Sequence, residues 1–497
     1  MQMNRCLQVD ILSLMDKSFR PSNLDQPLLL PADLREWLPQ DHLALYVSDV
    51  VDALDLSAIY DSYAGDGRGQ PPYDPAMMVK LLIYAYCIGR PSSRVIERAT
   101  YEDIAFRVLA TNQHPDHDTI AEFRKRHLEA LAGLFIQVLR LCQEAGLVKL
   151  GQVALDGTKI KANASKHKAM SYDRMVLAEE ELKREVADLL RRAQAVDDRE
   201  DREYGKGHRG DGLPEELARR ESRLKKIQEA KAALEREAAE RESRDSREKS
   251  KSSPRDPGPR TPDAAPEPAS GVRFGGVPGD NPPKDKGKGA PAPQVQEPRV
   301  AQPDPKAQRN FTDPDSRIML DPTTKGFEQA YNAQIVVDGK GQVIVAAAVT
   351  QEANDKQQLV PMLTQAMQNT GSRPKRALAD SGYFSESAVT DRALDGIDLY
   401  VTPDKDWHGR KQDGPRSQDR GTVIGRMRGK IRSAKGQAIY RWRKAIVEPA
   451  FGQIKEVRHF RRFLLRGKSK VTNEWSLIAL THNILKLYRA NAGLAPG

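Results

Sequence analysis

Val148-Lys149-Leu150-Gly151-Gln152-Val153-Ala154-Leu155 reads as a short strand ending in Asp156-Gly157-Thr158. A second strand signal, Arg376-Ala377-Leu378-Ala379, stops at Asp380-Ser381-Gly382-Tyr383. Between them, Ala330–Val337 and Gln342–Val349 are β-rich runs joined by Asp338-Gly339-Lys340-Gly341, which predicts a hairpin. Asp355–Gln368 has helical spacing and Leu399–Thr402 reads as a further strand. Ala434–Phe460 and Asn473–Ala490 read as helices, the last with Leu477, Leu480, Ile484 and Leu485 on one face. This order predicts an α/β unit, a mixed five-stranded sheet covered by helices.

Outward from that unit the chain changes character. Leu30 to Leu147 reads as helical, with Met77, Met78, Leu81, Leu82 and Tyr84-Ala85 at helical spacing after Pro75, a good first-turn residue. Gly89 and Pro91 break that helix, Ser92 or Ser93 can cap a second, and Ile104–Leu109 supplies a third. The breaks suit a helix-turn-helix or an ordinary small bundle. His114, Asp116, His117 and Asp118 have the composition of a metal site. They read better as turn chemistry, with Asp118 or Thr119 capping the next helix and Thr119–Glu122 at capping-box spacing. In the charge-dense zone 169–249, Leu177, Leu182, Val186 and Leu189 mark one helix. Leu217, Leu224, Ile227 and Leu234 mark another, which predicts an antiparallel hairpin turning at Gly205–Pro214. Ser250 to Asn310, rich in Pro, Gly, Ser, Lys and Asp, reads as a disordered linker. The predicted divisions are thus 1–147, helical; 148–168, first part of the sheet unit; 169–249, inserted hairpin; 250–310, linker; and 311–497, the rest of the sheet unit with basic C-terminal helices.

Charge is unevenly placed over the 497 residues. The whole chain nets +10, yet residues 401–497 carry 22 Lys and Arg against 7 Asp and Glu, a net of +15. A basic end on a slightly acidic body points to a polyanion partner for that end. The 39% hydrophobic content fits a chain with unpacked segments. Cys6, Cys87 and Cys142 are too scattered for a disulfide framework or a cysteine zinc site. No run approaches 18 apolar residues, and Met1–Arg20 lacks a basic start followed by an apolar stretch, so a cytoplasmic protein without a membrane partner is expected.

Three acids stand out by position. Asp156 and Asp380 end strands, where ligands sit in α/β sheets, and Glu448 lies in the basic C-terminal helix. Cutting or joining a phosphodiester needs an activated oxygen nucleophile and a stabilised leaving oxygen, which two Mg²⁺ ions on a few carboxylates provide. Around Glu448, Lys455 lies seven positions on and Arg441 seven back, two turns either way on one helical face. Lys444 at i−4 can orient the carboxylate, and Pro449 is positioned to kink the helix. A solvated helix with incidental ion pairs explains the same pattern.

Asp156-Gly157-Thr158-Lys159 through Ala164, Tyr331-Asn332-Ala333-Gln334, Ala379 through Tyr383, Val447 through Lys455 and the tail Trp475–Lys486 together resemble the DDE transposases of bacterial insertion sequences. That resemblance implies an RNase H-like core and an N-terminal helical DNA-binding domain. It makes Asp156, Asp380 and Glu448 the catalytic, metal-binding triad for two Mg²⁺ ions, with Mn²⁺ able to substitute. The implied partners are double-stranded DNA, at the element's terminal inverted repeats and at the target, and a second copy of the chain when two ends are bridged. The implied place is the bacterial cytoplasm, on the nucleoid when bound to DNA. The family's Tyr-Arg-Glu-Lys pattern maps to Tyr440, Arg443, Glu448 and Lys455 as phosphate contacts. Its spacing of three residues between Arg and Glu falls on Lys444 instead, which leaves Arg443 and Lys444 as alternatives. Trp407 is a candidate for stacking on an unpaired base, or a core residue. A non-catalytic DNA-binding relative and an RNase H-like nuclease that cuts without joining are the competing readings.

Overall fold

The computed structural model describes residues 34–63, 72–204, 215–252, 302–321, 325–404, 421–491 and 493. Met1–Arg20, the turn Gly205–Pro214, most of the linker and Trp407 lie outside them. The described residues form two compact units, one within 1–130 and 488–495, the other within 131–487.

The second unit is built on one sheet. Its strands are β1 (Val153–Lys161), β4 (Arg317–Leu320), β5 (Phe327–Asp338), β6 (Ile344–Thr350), β7 (Arg376–Ala379) and β8 (Asp398–Val401). A separate pair, β2 (Ala169–Ser171) and β3 (Gln308–Asn310), completes the set. The order across the sheet is β4-β5-β1-β7-β8, with β6 also on β5. The β1–β5, β4–β5 and β5–β6 pairs are antiparallel and the β1–β7 and β7–β8 pairs parallel. The expected five strands are therefore all present and mixed. The sixth, β4, borders the start of β5 along the edge that β6 borders further on.

β5 holds the centre. Ten of its 12 residues are buried, polar Gln329, Asn332, Gln334 and Asp338 among them. Buried polar groups need partners, so this strand marks where the core turns into a site. Asn483, in the helix Lys468–Asn491, takes up the backbone N–H and C=O of Ile344 at 2.8 and 2.9 Å. The indole of Trp475 on the same helix donates to the Gln334 carbonyl at 3.0 Å.

Two expected elements have different bounds. β1 starts at Val153 rather than Val148 and runs through Asp156 to Lys161, because β5 pairs with it over its whole length. β7 pairs only with Val153 and Ala154. Asp156 thus sits in mid-strand, just past the point where β1 loses its parallel neighbour. The expected helix Ala434–Phe460 is three pieces, Ala434–Tyr440, Trp442–Gly452 and a π-turn at Gln453–Val457. Pro449 lies inside the second piece. Having no N–H, it cannot bond the Ala445 carbonyl, and the Gln342 amide donates there instead at 3.0 Å.

The inserted helices, Tyr172–Tyr204 and Glu215–Ser252, pack through Met175, Leu182, Ile227, Ala230 and Leu234. Leu177, expected on this seam, is 67% exposed. The seam runs instead through Met175, Glu179 and Leu182, and Glu179 is tied to Lys183 and Lys231. β2, just before the inserted helices, pairs with β3, in the last residues of the predicted linker, so the insertion begins and ends side by side.

In the first unit, Pro75–Cys87 is buried nearly all round, with Asp74 capping it and Pro75 at its start. Helices Ser93–Glu102, Ile104–Leu109 and His117–Arg126 follow. The cap of the last is Asp116, which accepts from Thr119 N at 2.7 Å, two residues earlier than the nearer expected cap. His114 stacks on Tyr101, and His117 pairs with Glu97 at 2.9 Å, so neither ring converges on a metal site. Cys87 and Cys142 are buried.

Candidate active site

Asp156 and Asp380 come from adjacent parallel strands. Asp380 directly follows β7 and caps the short turn Ser381–Tyr383, its Oδ1 accepting from Gly382 N at 2.9 Å. Asp156 Oδ1 accepts from Gly157 N at 2.9 Å. Burial pushes the Asp156 carboxyl up to about 6; Arg443 opposes the shift and Asp380 and Asp355 add to it. The fold thus holds carboxylates close together in a partly dry place, the usual cause of a raised carboxyl at a working site.

Arg443 is the cation the helix Trp442–Gly452 delivers. Its Nη1 lies 3.4 Å from Asp156 Oδ2, its side chain is 11% exposed, and its buried Nε has no hydrogen-bond partner among the described residues. The guanidinium sits 6.0 Å from the Tyr440 ring centroid. Lys444, the alternative by spacing, is exposed, and among the described residues it forms no ion pair. Lys455 reaches the centre from the π-turn, donating to Thr158 Oγ1 at 3.0 Å. The π-turn rather than a straight 3.6-residue helix sets its position; its wide turn is closed by Arg458 N on the Gln453 carbonyl at 3.0 Å.

Glu448 is exposed, one residue past buried Val447. It lies within electrostatic reach of Arg443. Among the described residues, no three acidic, His or Cys side chains converge closely enough to hold one metal ion.

Sequence reasoning missed Asp355, Asn332, Gln334 and Tyr383 as members of this site. Asp355, read as the first residue of a helix, lies in the loop before the helix Leu359–Thr370. Its Oδ1 accepts from Asn332 and Gln334 at 2.7 and 2.6 Å. The fully buried Tyr383 hydroxyl donates to Gln334 Oε1. Burial, then Asp355, Asp156 and Asp380, push that phenol well above its ordinary range. The available signal was Asn332 and Gln334 themselves, two amides alternating in the β-rich run Ala330–Val337 whose other residues are Ala, Tyr, Ile and Val.

Residues 32–126 match the family model of a transposase domain (DUF772), and residues 310–484 match that of the transposase DDE domain. No curated protein and no solved structure matches the chain. The second match holds Asp380, Arg443, Glu448 and Lys455, while Asp156 precedes it, separated by the inserted hairpin and linker. With an N-terminal helical segment and a mixed sheet that each carry a transposase match, the chain belongs to the DDE transposases of insertion sequences.

Proposed function

We propose that this transposase binds the terminal inverted repeats of its element and catalyses divalent-metal-dependent DNA cleavage and strand transfer, with Asp156, Asp380 and Glu448 as its catalytic acids. One observation carries the reading: Asp156 and Asp380 stand side by side where the parallel part of the sheet ends, with Arg443 and Lys455 beside them.

The side chains fit a hard cation. The donors are carboxylate oxygens, the kind Mg²⁺ and Mn²⁺ take. Asp156 and Asp380, with Glu448, would hold Mg²⁺ or Mn²⁺, two ions by the family pattern. When bound, such ions supply an activated oxygen nucleophile and a stabilised leaving oxygen. Arg443, fixed against Asp156, and Lys455, fixed at Thr158, bind and orient non-bridging phosphate oxygens of the scissile strand. Tyr440 supports Arg443 through its ring. Glu448 is the one acid open to solvent, which suits a group that meets its ligand only when DNA arrives. The net +15 of residues 401–497 attracts the duplex, and bridging two ends calls for at least two copies of the chain. Among the described residues no helix is long and apolar enough to cross a membrane.

The test is cleavage and joining of a labelled element-end duplex with Mg²⁺ or Mn²⁺, comparing the full chain with Asp156→Asn, Asp380→Asn and Glu448→Gln. Loss of both products in each variant is expected. Variants that still cut and join remove the assignment, and wild-type cutting without joining makes the protein a nuclease.

A further inference from the structure

We infer that Asp355 is a further cation-binding acid of this centre, held between the glycines that follow Asp156 and Asp380. The inference rests on the metal-dependent reading above.

The packing of the two glycines carries it. Side chains alternate along a strand, and opposed residues share a face. Gly157 is opposed to Gln334 and Lys159 to Asn332, whereas Asp156 is opposed to Ile335 and leaves β1 on the other face. Over the bare Gly157, a Cβ would stand 3.0 Å from Asp355 Oδ1, 3.0 Å from Asn332 Oδ1, and in collision with Gln334 Nε2. A Cβ on Gly382 would stand 3.3 Å from Asp355 Oδ2 and 3.0 Å from Asp380 Oδ1. Neither glycine has a positive φ. A Cβ at either place would crowd its neighbours, and the neighbour common to both is Asp355.

The two oxygens of Asp355 then have different jobs. Oδ1 is fixed by the amides of Asn332 and Gln334, both fully buried. Oδ2 faces Asp380. Lys159 is within electrostatic reach of Asp355, while its ammonium donates to the Ala353 carbonyl at 2.8 Å. A second feature points to a ligand: Asn332 is 0% exposed, and its Oδ1, in the same space over Gly157, has no hydrogen-bond donor among the described residues. Such an orphaned acceptor is costly unless a water or ion completes it. Asp380 Oδ1 and Asp355 Oδ2 beside Gly382, and the Asn332 amide oxygen beside Asp355 Oδ1 over Gly157, are hard-oxygen donors of the kind Mg²⁺ or Mn²⁺ takes.

Mn²⁺ binding to the full-length protein, followed by the electron paramagnetic resonance of the free ion, tests this without turnover. Asp355→Asn keeps an oxygen to accept from Asn332 and Gln334 and removes the charge. It is expected to weaken Mn²⁺ binding at least tenfold while affinity for end DNA in the absence of metal stays within about threefold. Asp355→Glu keeps the charge one methylene out of place and is expected to weaken Mn²⁺ binding as well; it decides the matter if Asp355→Asn does not fold. Wild-type Mn²⁺ affinity in the Asp355 variants, with loss in Asp156→Asn and Asp380→Asn, overturns the role of Asp355 alone. Unchanged affinity in all of them overturns the metal-dependent reading as well.

Discussion

Asp156→Asn is expected to stabilise the protein while abolishing its chemistry. Burial, with Asp380 and Asp355 adding and Arg443 opposing, lifts the Asp156 carboxyl from 3.8 to about 6. At 1.36 kcal/mol for each tenfold change in acid constant, the ionised form costs the folded state about 3 kcal/mol. The side chain is 22% exposed, so water relieves little of that. Between about pH 4 and pH 6 the folded protein holds this proton and the unfolded chain has lost it. Stability therefore falls as pH rises through that window, and the whole penalty stands above it. Urea unfolding followed by tryptophan fluorescence reads the effect. Near neutral pH the variant should unfold at higher urea than wild type, by up to about 3 kcal/mol, and the gap should close by about pH 4. A variant less stable than wild type at neutral pH, or a gap that ignores pH, refutes the argument.

Other outcomes follow from single contacts. Gly157→Ala should cost about 1–3 kcal/mol by overpacking against Gln334, Asn332 and Asp355, whereas Gly133→Ala, in a helix with nothing within 4 Å, should be neutral or gain up to about 1 kcal/mol; thermal melts of the pair check this. Arg443→Ala should abolish strand cleavage and Lys444→Ala should leave it within a few-fold, because only Arg443 is buried against Asp156; the reverse result would assign the phosphate contact by spacing instead. Gln342→Ala removes the donor to the Ala445 carbonyl, a contact of about 0.5–1.5 kcal/mol in wild type, together with the acceptor of Lys486. In a Pro449→Ala background the cost of Gln342→Ala should shrink, since the helix then bonds its own carbonyl, and a double-mutant cycle with no coupling would contradict this account.

The strand and hairpin signals were legible because they are local. Apolar runs, the Asp338–Gly341 turn and the acids at 156 and 380 all act within a few residues, and the sheet follows from them. The bounds that shifted are those set by distant partners. β1 extends past Asp156 because β5 continues opposite it. Helical periodicity through Glu448 and Lys455 assumed a straight helix, which the π-turn at Gln453–Val457 replaces. Leu177 has the right chemistry for the hairpin seam, but the seam runs through Glu179, whose charge is met by Lys183 on its own helix and Lys231 across it.

The centre divides in the same way. Asp156, Asp380 and the basic surroundings of Glu448 could be singled out from the residues and their order, since strand ends and charge density are written in the chain itself. Three things came only with the tertiary structure: the choice of Arg443 over Lys444 beside Asp156, the exposure of Glu448, and the entry of Asp355 between Gly157 and Gly382. Each depends on which side chains approach across sequence gaps of more than 20 residues. Such contacts are fixed by strand register and close packing, and neither periodicity nor residue type encodes them.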